Sequence, residues 1–106
     1  MNIIIIGTTA YQDKMQEHKA KLEKSGHNVS LPAFDNFKDM SEFEVCDYNR
    51  KKIEWADEVH IIWDARSIGT VFDLGMCFAL YKPIKLIYIN TKTFPNFVNQ
   101  YAEICL

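Results

Sequence analysis

Four consecutive isoleucines, Ile3-Ile4-Ile5-Ile6, stand near the amino end and run straight into Gly7. No face of that run is polar, so as a strand it must be covered on both sides. Strands of this kind belong to parallel sheets sandwiched between helices, and the rest of the chain keeps the matching rhythm. Strands are predicted at 2–6, 27–31, 58–63 and 84–89. Helical patterns fall between them. One covers 11–25, with Met15, Ala20 and Leu22 on its inner side and Gly26 as its stop. A second covers 41–56, opened by the capping-box match Ser41-Glu42-Phe43-Glu44. A third covers 69–81, with Phe72, Met76, Ala79 and Leu80 as its apolar stripe, and is broken by Lys82-Pro83. Residues 90–93 read as a turn, and 94–104 as a last helix with Pro95 near its start. With right-handed crossovers this order predicts a flavodoxin-like or Rossmann-like three-layer α/β domain. Its parallel sheet has four strands in the order 2-1-3-4, and the domain spans residues 1–106.

Composition narrows the partners. At 106 residues with 48% hydrophobic content, the chain fills one core and is not disordered. A formal net charge of −2, with Arg50-Lys51-Lys52 the one basic run, argues against a nucleic-acid polymer and leaves room for a small anion. Cys46, Cys77 and Cys105 are odd in number, widely spaced and form no C-x-x-C, so neither a disulfide framework nor a metal site is expected. Cys77 reads as a small core residue. The isoleucine run is too short for a signal peptide and no segment reaches membrane-span length, so a reducing cytoplasm and no membrane partner are expected.

In a sheet of this order, ligands bind beyond the carboxyl ends of the strands where the order reverses, here between strands 1 and 3. That crevice gathers Gly7, Thr8 and Tyr11 on one side and Asp64 to Asp73 on the other. There is no phosphate loop, no G-x-G-x-x-G after strand 1 and no G-x-S-x-G elbow, and no cofactor is expected. His60 alternates with Val59 and Ile61 and reads as structural. What remains is Ser67-x-Gly69-Thr70-x-x-Asp73 at a helix start. Ser67 and Thr70 suit phosphate or sugar oxygens, and Gly69 allows a ligand close to the backbone. The same residues suit plain capping, with Ser67 closing the helix and Asp73 favouring its positive end. Arg66 either pairs with a phosphate or faces solvent. Phe34 and Phe37, on the long connection 32–41, either cover a base or anchor the loop. Trp55 and Trp63 read as packing residues.

Across most of residues 1–90 the chain resembles the nucleoside 2-deoxyribosyltransferase family and the related 2′-deoxynucleoside 5′-phosphate N-hydrolases. The likeness runs from Gly7-Thr8 and Tyr11 through Asp47, Ile53-Glu54-Trp55-Ala56-Asp57, and Asp64. It continues through Ser67-Ile68-Gly69-Thr70-Val71-Phe72-Asp73-Leu74-Gly75 to Lys82-Pro83. The resemblance implies a carboxylate at Asp73 that attacks the anomeric carbon of a nucleoside or its 5′-monophosphate. A covalent glycosyl-enzyme then passes its sugar to water or to a second base. It also implies that Ser67 binds a 5′-phosphate or 5′-hydroxyl with the Gly69 and Thr70 amides, that Tyr11 or a neighbour stacks on the base, and that Thr8 lies on the cleft floor. Assembly as a homodimer or larger homo-oligomer goes with it. Two positions depart from the family pattern. Asp73 stands where Glu is usual, drawing the oxygens back by roughly a bond length, and a 1 Å error can cost about a hundredfold in rate. Asn49 stands where the assisting acid aligns, while Asp47 lies two residues earlier on a different helix face. The chain is also shorter than family members and lacks their longer carboxyl tail. Three functions stay open: glycosidic chemistry at Asp73, nucleotide binding without turnover, and a structural or partner-binding role. The first requires Asp73 to face an open, sugar-sized hollow.

Overall fold

The structure, a computed structural model, describes residues 1–32, 39–63 and 67–89. Strand β1 (Asn2–Ile6) leads through a short 3-10 turn (Thr9–Tyr11) into α1 (Gln12–Lys24). Then come β2 (Asn28–Ser30), α2 (Glu42–Trp55), β3 (Glu58–Trp63), α3 (Ile68–Ala79) and β4 (Ile84–Ile89). All strand pairs are parallel and the order is β2-β1-β3-β4, as the alternation of apolar runs and helices predicts. The predicted connection containing Phe34 and Phe37 and the predicted last helix fall largely or wholly outside the described residues.

The isoleucine run is buried along its whole length, and its alternate residues feed two separate cores. Ile4 and Ile6 join Val59, Ile61, Trp63 and Ile84 beneath α2 and α3, which contribute Ile53, Leu74 and Cys77. Ile5 joins Ile62 and Met15 beneath α1, with Tyr11, Leu22 and Val29 around them. Gly7 suits this second core. A Cβ there would lie 3.2 Å from both Ile62 Cβ and Met15 Sδ, a tight contact that would make its neighbours give by a few tenths of an ångström. Of the predicted inner residues of α1, Met15 and Leu22 face the core and Ala20 is exposed.

The largest revision concerns α3. Its inner face is Thr70, Asp73, Leu74 and Cys77, while Phe72, Ala79 and Leu80 are exposed. Of the predicted stripe only Met76 packs against the core; counting apolar residues missed the rest because two polar residues share the inner face. Trp63 packs as predicted, whereas Trp55 is partly exposed under the Lys52 ammonium, 4.9 Å from its ring centroid.

The helix ends explain several motif residues structurally. Ser41 and Glu44 form the capping box. The Asp57 carboxylate accepts the Asn2 amide at 2.8 Å while the Asp57 amide donates to the Asn2 carbonyl at 2.7 Å, which ties β1 to the start of β3. Lys82 donates from Nζ to the carbonyls of Glu54 (3.0 Å) and Ala56 (2.8 Å), closing the carboxyl end of α2. Both α1 and α3 end in the same paired-bond motif, with a left-handed residue after the cap. In α1 that residue is Gly26 (φ 91°); in α3 it is Tyr81 (φ 53°), exposed and burdened by its Cβ. Tyr81→Gly is therefore expected to stabilise the monomer by about 0.5–1 kcal/mol, read as a higher urea midpoint at unchanged m-value and at dilution where no dimer forms.

Candidate functional site

The sheet reverses order between β1 and β3, and the segments leaving their carboxyl ends carry the candidate residues. On the β1 side, Thr8 accepts the Ala10 amide at 3.0 Å through Oγ1 and caps the 3-10 turn. Tyr11 is half-buried against the α1 core. On the β3 side, Ser67 caps α3 by accepting the Thr70 amide at 3.2 Å. This bond occupies the Thr70 N–H, so the uncapped amides at the start of α3 are those of Ile68 and Gly69. The Ser67 hydroxyl hydrogen remains to donate. Among the described residues, a Cβ on Gly69 would meet only Ser67 Oγ, at 3.7 Å. Asp64 and Arg66 lie outside the described residues.

Asp73 lies one turn further along α3, on its inner face, and is 6% exposed. It hydrogen-bonds to the side chain of Asn49, also 6% exposed, which α2 projects from the face that carries Ile53. Burial pushes the Asp73 carboxyl up to about 7, and the Asn49 hydrogen bond only partly offsets it. The sequence reading expected a carboxylate facing an open hollow. The structure shows a nearly enclosed one, because Thr70, Asp73 and Leu74 together form the side of α3 turned toward the core.

Asp47 takes a separate place. It pairs with Arg50, and with Lys51 at 3.1 Å, on the partly exposed side of α2. The Lys51 hydrogen bond and the nearby positive charges hold its carboxyl below the usual range. The structure thus brings Asn49, and not Asp47, to Asp73, in keeping with the roughly 200° between positions two apart on a helix.

One cluster escaped sequence reasoning. His18 Nε2 lies 2.7 Å from His60 Nδ1, and His60 Nε2 lies 2.7 Å from Glu58 Oε1. The Glu58-x-His60 spacing on one strand face was legible, but His18 is 42 residues distant and nothing in the sequence pairs it with them.

No known protein family matches the sequence, and no curated protein matches it either. Among solved structures, the fold is similar to that of the CMP N-glycosidase BcmB of Clostridium botulinum, with a TM-score of 0.68. The two chains are 18% identical, and the alignment covers 98% of this chain and 82% of that one. Among the described residues, no helix is long and apolar enough to cross a membrane, and no cluster of metal-ligating side chains is present.

Proposed function

We propose that this protein cleaves the N-glycosidic bond of a nucleotide or nucleoside, with Asp73 as the carboxylate that meets the anomeric carbon. The observation that carries this reading is the Asp73–Asn49 hydrogen bond behind the start of α3. Because Asp73 is 6% exposed and does not face an open hollow, the reading requires the segments around α3 to part and admit the sugar. The likeness in fold to a nucleotide N-glycosidase supports it. In the ionised form, a desolvated carboxylate is a strong nucleophile and stabilises an oxocarbenium-like transition state. Asn49 donates its amide N–H to that form, holding the oxygens in place and favouring the charge. Ser67 Oγ–H and the Ile68 and Gly69 amides receive the 5′-phosphate or 5′-hydroxyl. Thr8 and Tyr11 are assigned to the opposite side, toward the base; the substrate-binding roles that the sequence suggests for Asp64 and Arg66 fall outside the described residues. Either water or a second base accepts the sugar, making the protein a hydrolase or a deoxyribosyltransferase of cytoplasmic nucleotide metabolism in a single domain.

The depth of Asp73 favours a second reading, a nucleotide-binding module in which the neutral carboxyl donates a hydrogen bond and no bond breaks. Incubation with cytidine, deoxycytidine and their 5′-monophosphates, then the other bases, separates the two. Free base on chromatography supports the enzyme; a raised melting temperature without base release supports the module.

A homo-oligomer accompanies the first reading. Phe72, Phe78 and Tyr81 are 54%, 53% and 87% exposed along α3. Since a large aromatic covers about 150–250 Å² when buried, these three turn on the order of 400 Å² outward. That is roughly half of the ~800 Å² each partner brings to a standard interface. A second copy of the chain on this face is the expected occupant. The wild type is expected to sediment as a dimer and Phe72→Glu as a monomer; a monomeric wild type at tens of micromolar overturns the assignment.

A further inference from the structure

We propose that His18, His60 and Glu58 form a latch between α1 and the sheet that accepts one proton and opens on the second. Hydrogen-bond directions follow from the chemistry of the three groups. Burial raises the Glu58 carboxyl, but the hydrogen bond from His60 and the Lys85 ammonium 3.4 Å away outweigh it and keep Glu58 ionised. A carboxylate only accepts, so His60 Nε2 carries the hydrogen and His60 Nδ1 presents its lone pair. His18 Nε2–H therefore donates to His60 Nδ1 at 2.7 Å. It is a side-chain hydrogen bond that ties α1 to β3. Beside it lies the apolar packing of Met15 and Leu22 around Ile5 and Ile62.

The two added protons have different consequences. His18 Nδ1 is the remaining lone pair, and His18 borders a cavity of about 160 Å³ with Lys14, Glu17, Lys21, Ile62 and Ile87. A first proton placed on Nδ1 leaves every hydrogen bond of the chain intact. A second proton can enter only at His60 Nδ1, the atom that accepts from His18. Two N–H groups then oppose each other across 2.7 Å, and two imidazolium ions lie against a sheet face built mainly of isoleucine. The surrounding charges do not rescue that state. Lys14 and Lys21 on α1 and Lys85 on β4 are cationic and His27 before β2 disfavours charge on His60, while among the described residues around the pair Glu58 and Glu17 oppose them. Burial foremost holds both histidines below their ordinary range, His60 despite Glu58, and His18 helped by His60 and Lys21.

The sign is fixed by linkage. A histidine whose folded value lies below 6.5 takes up a proton on release, so docking of α1 is strongest above about pH 6.5 and weakens as pH falls below it. Because α1 begins directly after Thr8 and Tyr11, an open latch also frees that side of the site. This last consequence rests on the proposed function; the latch itself does not.

Amide hydrogen exchange, read without substrate as protection factors from pH 7.5 to 5, tests the latch separately from catalysis. The opening equilibrium of α1 is expected to rise about tenfold per pH unit below ~6.5 for each proton taken up, while α2 and α3 keep their protection. His60→Gln, whose amide can donate to Glu58 and accept from His18 without titrating, is expected to remove the His60 share of that rise and to leave at most the single-proton slope of His18. Loss of protection in step across all helices, or an acid response unchanged in His60→Gln, overturns the proposal. Should the variant fail to fold, imidazole NMR of the wild type decides. Two separated steps with His18 first support the latch, and independent titration of both rings near 6.5 overturns it.

Discussion

Replacing Asp73 with Ala or Asn is expected to abolish base release, lowering kcat/KM by about a thousandfold or more, since removing a nucleophile removes the reaction path itself. The wild-type rate should carry the signature of the same group. Burial sets the Asp73 carboxyl at about 7, and only the ionised form attacks. The rate is therefore expected to climb with pH between about 6 and 8 and to level off above. Asn49 supplies the control. Its hydrogen bond favours the charged carboxylate, so Asn49→Ala is expected to move the midpoint of the pH profile upward as well as to slow the reaction. A merely structural Asn49 would lower activity at every pH without moving the midpoint. A rate that falls between pH 6 and 8 would mean that Asp73 acts as the acid and does not attack.

The second large effect is on stability, and it runs opposite to the loss of activity. The folded chain keeps a proton on Asp73 from 3.8, the ordinary value, up to about 7, whereas the unfolded chain releases it near 3.8. Over that interval the native state binds more protons, so stability falls as pH rises and stays reduced above 7. The interval corresponds to on the order of 4 kcal/mol. Asp73→Asn cannot ionise and keeps a hydrogen-bonding partner for Asn49, so it is expected to unfold at higher urea than wild type at pH 8, with the advantage shrinking toward pH 4. An advantage that does not change with pH would show that Asp73 is solvated in the native state. Loss of function with gain of stability is the pattern of a site strained for chemistry.

What the sequence made legible follows from what each residue responds to. The isoleucine run, the Ser41 capping box and the Gly26 stop answer to local backbone rules, and the sheet order follows from those pieces and crossover handedness. Asp73 was found by its position behind a helix start, but its burial was not. Which side of α3 turns inward depends on the cross-helix partner Asn49, and apolar counting favours the opposite side. Gly7 shows a related limit. A glycine after β1 suits ligand approach and helix approach equally, and only the positions of Ile62 and Met15 reveal the second. Tyr81 in the left-handed region was hidden because a glycine is the usual signal there. The His18–His60 contact is set by the docking of α1, a purely tertiary fact.

The Lys82 ammonium reaches across from the end of α3 to the last carbonyls of α2, and so works as a levelling pin between two rods. Asn49 stands six residues before Trp55, the last residue of α2, and Asp73 stands six before Ala79, the last of α3. At 1.5 Å per residue both sit roughly 9 Å above the pinned ends. Amide and carboxyl therefore arrive at one height because the rods are aligned at their base, far from where any sugar would lie.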